Sequence, residues 1–333
     1  MVLAEFLKEW HNDSDEVLVH TSGSTGMPKP LWVKKSRMEA SARVTCDFLG
    51  LHEGDSALLC MPLDFIAGKM VVVRSIVRKL KLISVTPSGH PLRTLIDEAG
   101  CKSEWQRLSF AAMVPMQVYN SLQVADEREM LRSIKHLIIG GGAIDDALAA
   151  QLKSFPNAVW STYGMTETLS HIALRRMNGS EASQWYTPFN TVNVSLNDDG
   201  CLVIDAKDIC EHTLTTNDRA VLAEDSRRFR IIGRKDNVIC SGGIKIQIEE
   251  VETMLRPHLA FPYMITSRKD SKFGEIVVLL MQNNDVEACR KICQSVLPKY
   301  WQPRDYVTVE RLPLTETTKP NRAEAKCMAE KAR

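Results

Sequence analysis

His20-Thr-Ser-Gly-Ser-Thr-Gly-Met-Pro-Lys-Pro30 sets four hydroxyls, two glycines and one lysine directly behind the β-branched run Val17–His20. Glycine lets backbone N–H groups approach an anion, hydroxyls donate further hydrogen bonds, and Lys29 supplies a point charge, so the stretch carries phosphate-binding chemistry. Its spacing is not Gly-x-x-x-x-Gly-Lys-Ser/Thr, which excludes the Walker form of phosphate loop. An isolated Gly/Ser cluster is more often a plain loop that closes a strand. A continuous run of such residues weighs against that alternative.

Working outward, further short apolar runs stand at Ala57–Cys60, Leu82–Val85, Phe110–Val114, His136–Ile139 and Ala158–Thr162. Helical periodicity lies between several of them, at Ser36–Phe48, Gly68–Leu80 and Asp145–Ser154. This alternation implies an α/β fold with a mostly parallel sheet flanked by helices. Such sheets bind ligands beyond the carboxyl ends of their strands. Three polar, glycine-bearing segments follow strands, namely Thr21–Gly26, Gly140–Gly142 and Tyr163–Glu167, and are expected to converge on one site.

From about Phe189 the pattern turns to short strands, with Asn197-Asp-Asp-Gly200 between two apolar runs reading as a hairpin. The charged stretch Gly233-Arg-Lys-Asp-Asn237 marks a domain boundary, giving a large domain over 1–233 and a small α+β domain over 234–333. The small domain is expected to hold helices at Ile248–Leu255 and Val286–Val296 and strands at Ile276–Met281 and Tyr306–Val309.

Composition narrows the function classes. A length of 333 residues and a formal charge of +1 argue for two domains and against a nucleic-acid or anionic-membrane surface. The nine cysteines are scattered, with no Cys-x-x-Cys pair and no zinc spacing, which points to a reducing cytoplasm. The start of the chain has no secretory pattern. The most apolar stretch, Phe65–Val85, is broken by Lys69, Arg74, Arg78, Lys79 and Lys81, so no membrane insertion is expected. The oligomeric state is left open, a homodimer included.

Thr21-Ser-Gly-Ser-Thr-Gly-Met-Pro-Lys29 resembles the signature of the adenylate-forming superfamily, which includes acyl- and aryl-CoA synthetases, luciferase and nonribosomal peptide synthetase adenylation domains. Further motifs follow in that family's order: Tyr163-Gly-Met-Thr-Glu167, Thr216-Asn-Asp218, Gly233-Arg-Lys-Asp-Asn-Val-Ile239, and Leu312-Pro-Leu-Thr-Glu-Thr-Thr-Lys-Pro-Asn-Arg322. Ordered matches from residue 20 to 322 carry the resemblance; any one alone is weak.

The resemblance implies a large domain with parallel sheets and a small β-rich subdomain, abbreviated at its N-terminus, followed by a mobile C-terminal domain hinged at Asp236. It implies that Thr21, Ser22, Gly23, Ser24, Thr25, Gly26 and Lys29 hold the phosphates of ATP. Gly141, Gly142 and Ala143, with the ring of Tyr163, would flank adenine, Gly164 would belong to the same ATP/AMP site, Thr166 would touch phosphate, and Glu167 would help bind Mg²⁺. Asp218 and Arg234 would take the ribose hydroxyls. Lys319 would be the catalytic lysine, although Thr318 stands where the family has glycine and Pro320 follows directly. Gly242 and Gly243 would line the path of coenzyme A in a second, thioester-forming step, or form a simple turn.

Met61–Met70, Phe110–Gln117 and Thr168–Leu174 most resemble the o-succinylbenzoate–CoA ligases of menaquinone synthesis, with Asp64-Phe65 replacing a more usual Phe-His. Such an aromatic substrate carries a second carboxylate that must be paired. Lys69, His171, His20, Arg175 and Arg176 are possible partners for it, and Ser170 a pocket residue. Ligation of another aryl or acyl acid, loading of a carrier protein, and an inactive nucleotide-binding regulator are the alternatives. Intact Lys29, Glu167, Asp218, Arg234 and Lys319 speak against the last.

Overall fold

The computed structural model describes residues 1–20, 30–99, 108–142, 144–314 and 320–332. Two compact units make up the chain. The first comprises Met1–Ser195, Val203–Leu214 and Leu222–Arg230, and the second comprises Leu196–Leu202, Thr215–Val221 and Ile231–Arg333.

The first unit opens with α1 (Leu3–Trp10), β1 (Glu16–His20), β2 (Pro30–Lys34) and α2 (Lys35–Leu49). There follow β3 (Ser56–Leu59), α3 (Ile66–Arg78), β4 (Lys81–Ser84), α4 (Pro91–Ala99), β5 (Phe110–Met113), α5 (Pro115–Gln123) and α6 (Ala125–Ser133). Next come β6 (His136–Ile139), α7 (Asp146–Leu152), β7 (Ala158–Gly164), β8 (His171–Arg176) and β9 (Thr187–Pro188). Strands β3 to β9 form a seven-stranded sheet in the order β4-β3-β5-β6-β7-β8-β9. It is parallel from β4 to β7 and antiparallel at β7/β8 and β8/β9. All four residues of β5 are buried, which requires cover on both faces of the sheet and explains its continuous apolar run.

Strand β1 stands apart from that sheet. It pairs antiparallel with β2, from Glu16↔Lys34 to His20↔Pro30. A parallel partner would need a crossover of a dozen or more residues, whereas the segment 21–29 suffices to link two antiparallel strands. The phosphate-type segment therefore connects a paired hairpin.

A four-stranded sheet follows in chain order, from β10 (Asn193–Leu196) and β11 (Cys201–Asp205) to β12 (Leu214–Leu222) and β13 (Phe229–Arg234). The expected turn at Asn197–Gly200 joins its first two strands; Asn197 N donates to Cys201 O at 3.0 Å, and Gly200 has φ +74°.

The remainder of the second unit holds β14 (Val238–Ser241), β15 (Ile244–Gln247), α8 (Ile248–Leu255), β16 (Tyr263–Asp270), β17 (Gly274–Met281), α9 (Val286–Val296), β18 (Asp305–Thr308) and α10 (Arg322–Lys331). Strand β17 pairs with β14, β16 and β18, and its alternate residues fill two cores. Val277, Leu279 and Met281 pack with residues of α8 and α9, while Ile276, Val278 and Leu280 pack with Ala325 and Ala329 of α10. Among the described residues no helix is long and apolar enough to cross a membrane.

Two histidines, His171 buried and His136 half-buried, set an acid limit on this fold. Burial, then Lys135 and Arg176, depress the pKa of His136 to about 4, and burial with Arg74 holds His171 well below the ordinary imidazole value. Between pH 6.5 and these depressed values the unfolded chain binds more protons than the folded one, so stability falls as pH drops through that window. The unfolding temperature is expected to decline steadily from pH 6.5 to about 4. His136→Gln should flatten part of that slope, as followed by circular dichroism.

Candidate active site

Parallel pairing of β5, β6 and β7 brings the ends of these strands to one edge of the sheet. Gly140–Gly142 leave β6 there, and a Cβ on Gly141 would lie 3.4 Å from Val114 at the end of β5. Gly141 has φ +77°, a left-handed conformation that glycine adopts without strain. Gly164, at the end of β7, admits no side chain, because a Cβ would stand 2.3 Å from Ser170 O and 2.5 Å from the His171 Cα. That close approach folds Thr166–Thr168, a single 3-10 turn, back toward β8. Thr166 is buried and Glu167 exposed.

Tyr163 forms an aromatic cluster with Phe229 and Tyr186, at ring centroid distances of 5.1 and 5.8 Å. The Arg175 guanidinium lies over Tyr186, and Arg176 over Trp160. Gly141, Gly142, Tyr163, Gly164 and Thr166 all lie in the first unit, at the ends of the neighbouring parallel strands β6 and β7. Thr21, Ser22, Gly23, Ser24, Thr25, Gly26, Lys29 and Ala143 lie outside the described residues, as does Lys319.

In the second unit, Arg234 bridges Asp218 at 3.2 Å and Asp236 at 2.9 Å, and Asn217 Nδ2 donates to Asp236 at 3.3 Å. Asp218, Arg234, Asp236 and Asn217 therefore form one hydrogen-bonded group. Gly242 and Gly243, with φ +58° and +83°, make the two-residue turn between β14 and β15. That turn type accounts for both glycines on backbone grounds.

Leu314 and Pro320 bridge antiparallel, and Asn321 N donates to Pro313 O at 3.0 Å, so both ends of the segment bearing Lys319 are tied together. Arg322 adds a bidentate pair to Glu252 at 2.6 and 2.7 Å and donates to Ile265 O at 3.1 Å. The arginine of the last motif is thereby a strut that fixes α10 against α8 and β16.

Three side chains named for the acid pocket have distinct surroundings. Lys69 is buried; its Nζ donates to Leu18 O at 2.7 Å and lies 3.7 Å from Glu9. It holds the base of the β1–β2 hairpin, and any substrate carboxylate would compete with Glu9. Ser170 and His171, in contrast, meet each other at 3.2 Å. They also meet a residue that the sequence motifs do not mark, Arg74 of α3.

Arg74 is 2% exposed, donates to Ser170 Oγ at 2.5 Å, and stands over the Phe110 ring at 6.0 Å. Its Nε has no hydrogen-bond partner among the described residues, and no carboxylate there forms an ion pair with it. Burial lowers its pKa to about 10, which still leaves it cationic at neutral pH. A buried cation without a counter-charge is costly unless an anion arrives. The signal was in the sequence: Met70-Val71-Val72-Val73-Arg74 has no polar side to turn to water, so a charge there is necessarily interior.

A profile of the AMP-binding enzyme family matches residues 6–207. The chain belongs to the AMP-binding enzyme family. It is an adenylate-forming, ATP-dependent acid–CoA ligase. Among relatives within the family, a 2-succinylbenzoate–CoA ligase from Geobacillus sp. is 24% identical over 347 residues, covering 95% of this chain and 69% of the relative. An acyl-CoA synthetase (AMP-forming)/AMP-acid ligase II-like protein from Dyadobacter fermentans is 31% identical, with a TM-score of 0.65 over 98% of this chain and 92% of that one. The o-succinylbenzoate coenzyme A synthetase of Bacillus subtilis, solved with ATP and magnesium, shares the fold with a TM-score of 0.73 at 20% identity, over 92% of this chain and 69% of that one.

Proposed function

We propose that the acid activated by this ligase is 2-succinylbenzoate and that coenzyme A accepts the acyl group, a step of menaquinone synthesis. The observation that carries the choice of acid is Arg74, a buried guanidinium with no carboxylate opposite it among the described residues. 2-Succinylbenzoate has two carboxylates. One is consumed by activation, and the other remains charged and needs a cation in a desolvated pocket. Arg74, with Ser170 beside it, supplies that cation. The names of the relatives agree with this acid.

The remaining assignments follow the motifs. Thr21, Ser22, Gly23, Ser24, Thr25, Gly26 and Lys29 receive the ATP phosphates, with Thr166 contributing a hydroxyl. Gly141, Gly142, Ala143, Tyr163 and Gly164 receive adenine. The ribose hydroxyls donate to Asp218, a carboxylate already oriented by Arg234.

Among the described residues no three His, Cys, Asp or Glu side chains form a metal-binding group. Mg²⁺ is commonly held by one or two carboxylates together with substrate phosphates, so the exposed Glu167 fits that ion. When bound, the ion neutralises phosphate charge. Asp236 serves as the hinge between the adenylating and thioester-forming arrangements, and Gly242 and Gly243 line the coenzyme A path.

The test is to incubate the protein with ATP, Mg²⁺, coenzyme A and a panel of aromatic and aliphatic acids, identifying the thioester by mass. 2-Succinyl-benzoyl-CoA is the expected product. A thioester formed only from monocarboxylates would reject the choice of acid, and an adenylate that coenzyme A fails to discharge would reject the acceptor.

A further inference from the structure

Arg74, Ser170, His171 and Thr45 close a ring of hydrogen bonds in the interior of the first unit. Arg74 donates to Ser170 Oγ at 2.5 Å and approaches Thr45 Oγ1 at 3.5 Å. Ser170 Oγ meets His171 Nδ1 at 3.2 Å, and His171 Nε2 meets Thr45 Oγ1 at 3.2 Å. In the tautomer that keeps the Thr45 hydroxyl donating to Ser41 O at 3.1 Å, Thr45 accepts from His171 and the imidazole hydrogen sits on Nε2. With Nε2 protonated, the neutral imidazole accepts at Nδ1, and the Ser170 hydroxyl spends its hydrogen there.

This arrangement has a defect as a carboxylate site. Arg74 can donate to an incoming anion, but Ser170 cannot, since its only hydrogen points into His171. A second proton on His171 reverses that bond. Nδ1–H then donates to Ser170 Oγ, and the Ser170 hydroxyl turns to donate to the ligand. We propose that His171 is a proton-linked specificity residue: binding of the acid's second carboxylate beside Arg74 draws one proton from solvent onto His171 Nδ1 and releases Ser170 as a hydrogen-bond donor to that carboxylate. The proposal rests on the placement of the second carboxylate at Arg74.

The charges around His171 agree with this linkage. Burial opposes its protonation, as does Arg74, which faces it from α3, so the imidazole stays neutral unless an anion stands beside Arg74. From α2 it meets the uncharged Thr45, with Cys46 next in sequence; burial raises the Cys46 thiol above its ordinary pKa, and it is therefore protonated as well. Asp47 and Arg78, which form an ion pair with each other, lie behind Cys46. The Phe189 ring, 5.6 Å away and edge-on, carries no charge. Among the described groups resolved around His171, the neighbouring charge is positive, and an arriving carboxylate is what would reverse the local field. By linkage, whatever the carboxylate does for the proton, the proton does for the carboxylate.

The experiment is calorimetric titration of the enzyme with 2-succinylbenzoate, in the presence of a non-hydrolysable ATP analogue, in buffers of different ionisation enthalpy between pH 6.5 and 8.5. The expected result is net proton uptake approaching one per acid bound. The dissociation constant should rise with pH, by at most about tenfold per unit. Benzoate, which lacks the second carboxylate, should bind without uptake. His171→Gln and Ser170→Ala should each abolish the uptake and flatten the pH profile, with their unfolding temperatures checking the fold. Binding of 2-succinylbenzoate without proton uptake, or uptake that survives in both variants, overturns the proposal while leaving the choice of acid standing. Failure of 2-succinylbenzoate to bind at every pH overturns both.

Discussion

Lys319→Ala is expected to lower acid-dependent ATP–pyrophosphate exchange by about three orders of magnitude while nucleotide binding persists. Attack of a carboxylate on the α-phosphate brings two anions together, and charge accumulates on phosphoryl oxygens in the transition state. An ammonium bridging them at about 4 Å contributes roughly 4 kcal/mol at an effective dielectric of 20. Such a loss corresponds to about a thousandfold in rate. The lysine itself lies outside the described residues, but its anchors do not. Leu314 pairs with Pro320, Asn321 with Pro313, and Arg322 with Glu252, so the chain on both sides of the lysine is tied to the second unit's core. Exchange kinetics and equilibrium binding of ATP, measured on the same preparation, separate lost chemistry from lost nucleotide affinity. An unchanged exchange rate would remove Lys319 from the mechanism.

The contrast between these two halves of the chain also shows what a sequence can reveal. The strands of the parallel sheet were legible because each is a short apolar run closed by a turn, and in the central strand β5 burial on both faces leaves no alternation to confuse the pattern. The helices α8 and α9 begin and end where their apolar stripes do. Helix α10 was not legible. It covers β17 with Ala325 and Ala329, small residues that leave a sequence looking like a solvated basic tail. Its anchoring through Arg322 depends on Glu252, seventy positions away.

The site divided along the same line. Gly141, and Tyr163 and Gly164 at the end of β7, could be named from the sequence because their backbone and ring requirements recur in short motifs. The sequence reading named Lys69 and passed over Arg74, although both interrupt the same apolar stretch. Only the fold distinguishes them, giving Lys69 an acid in Glu9 and giving Arg74 none among the described residues.

That difference makes Arg74→Met the second decisive substitution. Methionine keeps much of the length and removes the charge. If Arg74 holds the second carboxylate, KM for 2-succinylbenzoate should rise about thirtyfold or more, since truncating one partner of a buried charge pair costs about 2–5 kcal/mol. KM for a monocarboxylate that the enzyme also turns over should change little, because that acid never meets the guanidinium. The stability effect should have the opposite sign. Arg74 is a buried cation with no described acid, and replacing such a charge with an apolar side chain relieves its desolvation, so the unfolding temperature should stay level or rise. Steady-state kinetics on the two acids and a thermal melt together test the assignment. Equal losses on both acids accompanied by a lower unfolding temperature would make Arg74 a packing residue, held in place by Ser170 and the face of Phe110 rather than kept for substrate.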